Sequence, residues 1–215
     1  MTAGDGRQGQ GAGTPVPRSA SSVPAAGLPD YAELRCVSTF SFLVGASQPE
    51  ELVERAHKQG YRALALTDEC SVAGVVRAHV AAKKIGLKLL IGSQFSVAVP
   101  EPSGSDAPGP FSLGVLACNL NGYGNLCEFI TKLRRASEKG TYHLDLGDIA
   151  SDELADCVVV ASPVRGSTDV QLVGLARWLL THFTGRCWLG VELLRQLDDE
   201  MWLHKLREAS DLSAI

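Results

Sequence analysis

PEELVERAHKQGYRALALTDECSVAGVVRAHVAAKKIGLKLLIGSQF, residues 49–95, contains two helical patterns, each followed by an apolar strand. Pro49 suits the first turn of a helix, where its missing N–H costs nothing. Ser47 and Glu50 supply an S-x-x-E capping box, which satisfies two of the free amide donors at a helix start. Leu52, Val53 and Ala56 then form an apolar stripe at helical spacing, and Gly60 stands where a helix closes in a left-handed conformation. RALALT (62–67) is a continuous apolar strand. A second helix over about 71–85 closes on Gly86, and a further strand region runs over 87–99, interrupted by Gly92.

The pattern extends outward on both sides. Residues 31–37 read as the strand before the first helix. After it, 111–120 read as a strand, 123–136 as a helix, 157–161 as a strand and 170–183 as a helix. Residues 187–193 read as another strand and 199–210 as a last helix, about six strand–helix units in all. Such alternation predicts an α/β fold with parallel pairing through right-handed crossovers. Strands apolar along their whole length, such as CVVVA (157–161), suit a sheet covered on both faces or a barrel wall. Between them, 100–110 is rich in proline and glycine and reads as an exposed loop.

Residues 1–30 are of different material. Most are Gly, Pro, Ala, Ser or Thr, and they hold only two arginines, Arg7 and Arg18. That composition predicts a disordered tail without the charge of a nucleic-acid arm, and residues 31–215 are the folded unit. The 215-residue chain carries a net charge of −4. A domain that binds nucleic acid alone shows a basic excess, so partner surfaces here are expected to be protein rather than DNA. No secretory segment or membrane-length apolar run occurs, which places the chain in the cytoplasm. The six cysteines have no zinc-ribbon spacing and read as small buried hydrophobes.

Common site signatures are missing: no phosphate loop, no G-x-S-x-G elbow, no H-E-x-x-H helix. Gly122-Tyr123-Gly124-Asn125 follows a strand and opens a helix, which reads as a tight turn more readily than as a phosphate seat. His57 and His79 fall within helices, His182 and His204 near helix ends, and His143 in an apparent hairpin; none forms a ligand pair.

Longer segments carry more information. YAELRCVSTFSFLVGAS (31–47) together with residues 49–95 resembles the PHP (polymerase and histidinol phosphatase) domain that opens bacterial C-family DNA polymerases. NLNGYGNLCEFITKLRRASEKGTYHL (119–144) and WLLTHFTGRCWLGVELLRQLDDE (178–200) are similar to the error-prone, ImuC-type branch of that family. The resemblance implies a distorted (β/α)7 barrel. The chain ends after a helix with no returning strand, so the expectation is an incomplete barrel, truncated before its last strand and last metal motif. In active PHP members, His, Asp and Glu at strand ends hold two or three metal ions, which activate water and stabilise phosphoester oxygens.

At the matching positions this sequence departs from that pattern. The first motif, normally H-x-H-S with a ligand a few residues on, reads Arg35, Val37, Ser38 and Val44; the third-strand glutamate is Gln94. A permanent cation and two aliphatic side chains cannot ligate a metal. The T-D-H motif reads Thr67-Asp68-Glu69, leaving Asp68 and Glu69 as the only residual metal candidates, with no catalytic residue assigned. The expected role of Asp68 is to accept bonds from the N-terminus of the helix that follows. Arg35 is expected to pair with Asp68 or Glu69 in place of the metal charge.

The implied parent is an error-prone DNA-directed DNA polymerase, a nucleotidyltransferase of DNA replication and repair after DNA damage, with Mg²⁺ in a separate palm. Its implied partners are DNA, a sliding clamp and other mutasome proteins. The region read here is then a scaffold without cofactor. The competing readings are a free-standing PHP phosphoesterase and a frameshifted product without function.

Overall fold

The structure, a computed structural model, describes residues 30–99 and 107–215. The expected tail lies outside the described residues apart from Asp30. In order come β1 (Ala32–Cys36), α1 (Pro49–Lys58), β2 (Ala63–Leu66), α2 (Val75–Ile85), β3 (Lys88–Val97), β4 (Phe111–Ala117) and α3 (Leu120–Ala136). A short 3₁₀ turn (Leu146–Asp148) precedes β5 (Cys157–Pro163), α4 (Asp169–His182), β6 (Cys187–Leu189) and α5 (Asp199–Ser213). The strands form one sheet in sequence order.

The α/β class holds, and the pairing differs from expectation in one half. β1–β2–β3 are parallel, as are β5 and β6, but β4 is antiparallel to both β3 and β5. β3 takes both roles in succession. Lys88–Ile91 pair with β2 on one edge, and Gly92–Val97 pair with β4 on the other. Gly92 therefore marks the change of partner and does not break the strand. A Cβ there would lie 2.5 Å from the Val115 carbonyl oxygen and 2.6 Å from a Leu116 methyl, so close approach of β4 excludes any side chain.

Local signals explain most element ends. Gly60 and Gly86 follow α1 and α2 with φ of 77° and 74°, the left-handed conformation expected of them. The capping box of α1 sits one residue later than read from sequence: Gln48 is the N-cap and its N–H donates to Glu51 Oε2 at 2.8 Å. Thr168 and Gln171 form a box at α4, and Asn119 Oδ1 caps α3 by accepting from Gly122 N–H. Gly122 and Gly124 thus belong to the first turns of α3 rather than to a turn before it. A Cβ on Gly122 would meet the Asp156 carbonyl at 2.1 Å. α2 starts later than expected, at Val75, and β6 is three residues long rather than seven. Of the expected exposed loop, 107–110 are described, and Pro108 and Gly109 are buried.

The helices cover one face of the sheet. Odd-numbered residues of β4 and β5 (Phe111, Leu113, Val115; Cys157, Val159, Ala161) join Phe95, Phe129, Leu175 and Leu179 in the main core. A second core unites α1, α2 and β2 through Val53, Leu64, Leu66 and Ala78. α5 packs on α4 through Leu172, Trp202, Leu206 and Ala209. The even-numbered residues of β4 and β5 face the opposite way, into an open cleft. The expected reading of the cysteines holds for Cys70, Cys157 and Cys187, which are buried; Cys36 and Cys127 are half-buried and Cys118 is exposed.

Gly92→Ala is expected to destabilise the chain by about 1–3 kcal/mol in urea denaturation. Gly124→Ala, where a Cβ meets nothing within 4 Å, should be neutral or stabilising through helix propensity. Burial pushes the thiols of Cys36, Cys70 and Cys157 up to about 11. These groups stay protonated in the folded chain while the unfolded chain ionises near 9. Their contribution is complete below pH 9 and is lost as pH rises towards 11, so the melting temperature should fall across that window. At pH 8, iodoacetamide should label Cys118 well before these three.

Candidate functional site in the cleft of the sheet

The sheet curls so that β1 and the segment after β6 face one another across a cleft of about 950 Å³. Its floor is Leu90, Gly114, Leu116, Val158, Val160 and Ser162, and its rims carry Leu34, Trp188 and Leu194. Four of the five positions at which the sequence departs from the metal pattern, Arg35, Val37, Val44 and Gln94, line this cleft, and the fifth, Glu69, lies beside it, bonded to Gln94. The residues that the resemblance groups into one site are therefore grouped in space, although three come from the first 44 residues and one from the third strand.

Arg35 does not pair with Asp68 or Glu69. Its Nε donates to Gln94 Oε1 at 2.8 Å, one amino group donates to Ser112 Oγ at 3.1 Å, and the other forms an ion pair with Glu192. Gln94 Nε2 in turn donates to Glu69 Oε2 at 2.8 Å. Glu69 also accepts from Ser96 Oγ and from the Tyr142 hydroxyl. The connection between Arg35 and Glu69 is thus relayed through a neutral amide. Burial lowers the Arg35 guanidinium from its ordinary value, opposed by the charges of Glu69 and Glu33. Burial, then the hydrogen bond to Glu69, raises the Tyr142 phenol. Arg134 fixes the back of this corner. It donates to the Cys70, Glu69, Gly140 and Thr141 carbonyls and lies over the Tyr142 ring.

Asp68 lies just beyond β2 and is 1% exposed. Its expected partner, the N-terminus of α2, makes no hydrogen bond to it. The carboxylate accepts instead from the β1–α1 loop: Ser38 N–H at 2.7 Å, Ser38 Oγ at 2.8 Å and Ser41 Oγ at 2.7 Å. Ser41 Oγ accepts from Glu69 N–H in the same knot. A Cβ on Gly45 would fall 1.9 Å from the Ser38 carbonyl oxygen, so the loop closes on itself only with glycine there. Sequence reasoning found Ser38 but missed Ser41, Ser112, Tyr142 and Glu192. Only the S-T-F-S repeat of serines hinted at Ser41, and nothing local marked the others.

The donor set does not suit a cluster of divalent ions. Val37 and Val44 have no lone pairs, Arg35 brings a positive charge, and the Gln94 oxygen already accepts from Arg35. Both oxygens of Asp68 and both of Glu69 are hydrogen-bonded to protein donors. Among the described residues, no three His, Cys, Asp or Glu side chains gather as a metal-holding group. The histidines stand apart from the cleft: His182 stacks on Trp178, and His143, in a segment without regular structure rather than in a hairpin, pairs with Asp145.

Comparison with known proteins identifies relatives by sequence and by fold. The chain is 47% identical over 196 residues to the error-prone DNA polymerase of Bordetella parapertussis, covering 87% of this chain and 18% of that one. It is 50% identical over 184 residues to the error-prone DNA polymerase of Ralstonia nicotianae, covering 80% and 16%. The chain thus spans less than a fifth of the length of these curated relatives. Among solved structures it resembles a putative metal-dependent phosphoesterase from Bifidobacterium adolescentis (TM-score 0.56, 17% identity, 84% of each chain). It also resembles an amidohydrolase from Chromobacterium violaceum with bound sulfate and no metal (TM-score 0.61, 17% identity, 86% of this chain and 84% of that one). At such identities these likenesses establish the fold alone. The PHP domain family matches residues 33–169, and the chain belongs to that family.

Proposed function

We propose that this chain is the PHP-domain region of an error-prone DNA-directed DNA polymerase and serves it as a non-catalytic scaffold. The observation that carries the reading is near-half identity to polymerases of that name across 87% of the chain. Nucleotidyl transfer, its Mg²⁺ and most contacts with DNA then belong to parts of the polymerase other than this region. A sliding clamp and other mutasome proteins are its partners, and replication and repair of damaged DNA in the cytoplasm its setting. Among the described residues no helix is long and apolar enough to cross a membrane.

The cleft supports the scaffold role chemically. A phosphoesterase of this fold needs deprotonated oxygens and imidazoles free to ligate metal, and a hydroxide generated between them. Here the matching positions are a cation, two valines and a hydrogen-bonded amide. The carboxylates of Asp68 and Glu69 are employed in holding the loop and the strand ends. The phosphoesterase reading therefore rests on fold likeness alone.

Two experiments separate these readings. The purified chain, assayed on a generic phosphodiester with Mn²⁺ or Zn²⁺, should show no turnover above that of the metal alone. Metal-dependent turnover by the folded chain, lost on chelation and restored by metal, would establish the phosphoesterase and remove the scaffold. Independently, the full-length protein should extend a primed template, and failure to do so would defeat the polymerase reading. As a structural anchor, Asp68 carries charge-assisted bonds within the fold. Asp68→Ala, which strands the Ser38 and Ser41 donors, should cost about 2–4 kcal/mol in urea denaturation. Unchanged stability would contradict the anchoring role.

A further inference from the structure

Phe42, Leu43 and Val44 stand at the tip of the β1–α1 loop and are 84%, 90% and 67% exposed. Three consecutive large apolar side chains in water need a reason, because single exposed ones are common and clusters are not. The loop beneath them is built, not loose. Ser38, Ser41 and Asp68 are buried at its base, Thr39 N–H donates to the Ser47 carbonyl, and Val44 and Gly45 N–H both donate to the Ser41 carbonyl. Leu43 is held at φ 62°, a left-handed conformation that disfavours a leucine and turns the tip outward.

Two further features say what the tip meets. From Cys36 through Pro49 the chain has no Asp, Glu, Lys, Arg or His, in a protein in which 20% of residues are charged. Absence of charge is the mark of the buried centre of a protein interface, and it offers nothing to a phosphate backbone or to anionic lipid headgroups. Val44 also lines the cleft, so the tip continues into the exposed side chains of Leu34, Trp188, Val191, Leu193 and Leu194 on the rims. The curated relatives supply the candidate for covering this surface: this chain matches only 16–18% of their length, and the rest of each is polymerase chain.

We propose that the Phe42–Leu43–Val44 tip and the adjoining cleft rim form an intramolecular docking surface for the remainder of the polymerase polypeptide. The proposal rests on the polymerase reading above. The pinned loop is a knob presented without ordering entropy, and the docked polymerase chain removes its apolar surface from water.

Radical footprinting of side chains, in the full-length polymerase and in the 215-residue chain, tests this. Phe42 and Leu43 should be modified about tenfold less in the full-length protein, the protection expected of interface-centre residues. The Phe42→Ser, Leu43→Ser double variant should lower the melting temperature and primer extension of the full-length protein while leaving the melting temperature of the 215-residue chain unchanged. Three results overturn the proposal: equal modification in the two proteins, self-association of the 215-residue chain that the double variant abolishes, or flotation of the full-length protein with lipid vesicles through the same residues. If the wild-type full-length protein extends no primer, the polymerase reading fails. The footprint still reports on docking in that event, so the two failures are told apart.

Discussion

A carboxylate that is 1% exposed must be matched by donors or it destabilises the fold by several kcal/mol, and Asp68 has three. All three come from Ser38 and Ser41, residues 30 and 27 positions earlier in sequence. The end of β2 is therefore tied to the loop after β1. The same knot passes onward: the Asp68 carbonyl accepts from Ser93 Oγ, Ser93 Oγ accepts from Ser71 N–H, and the Asp68 carbonyl accepts again from Gln94 N–H. One buried residue thus joins the C-terminal ends of β1 and β2 through its carboxylate, and β2 to the middle of β3 through its carbonyl.

The middle of β3 is also where the sheet changes character. Upstream of Gly92 the strands follow the parallel βαβ plan; downstream they pair antiparallel through β4 and β5. Alternation along β4 and β5 then decides the two faces. Large odd-numbered residues go under α3 and α4. Small or aliphatic even-numbered ones, Ser112, Gly114, Leu116, Val158 and Val160, leave room for a cleft. A close-packed interior could not hold the Arg35 guanidinium. The half-open cleft can, because Gln94, Ser112 and Glu192 meet it there while part of its charge stays near water.

Much of this was legible in the sequence, for local reasons. Gly60 and Gly86 end helices by their own backbone freedom, Pro49 lies where a helix begins, and the apolar runs ALAL and CVVVA are strands. Pairing direction was not legible, since an apolar strand has the same composition whether its neighbour runs with it or against it. Gly92 was visible as an irregularity, but its cause is the Val115 carbonyl, 23 residues away in sequence and in van der Waals contact in space. The capping box slipped by one because Ser47 and Gln48 offer rival N-caps three residues before rival glutamates, and only the register of Pro49 decides between them.

The candidate site divides along the same line. Four positions that the resemblance groups, Arg35, Val37, Val44 and Gln94, converge on one cleft. The expected partner of Arg35, Asp68 or Glu69, was wrong, because a side chain's partner depends on reach and on which groups are already engaged. Arg35 stands opposite Gln94 across the strands and finds that amide before it finds Glu69. Glu69 is then bonded through the amide's other end and through Tyr142. An arginine, an amide and a carboxylate in series orient three strand ends with directed hydrogen bonds. A metal cluster would do so with ligand bonds and would also activate water; the series of hydrogen bonds can only hold. The hydrogen-bonded series and the Asp68 knot beside it together form the corner on which the β1–α1 loop is carried.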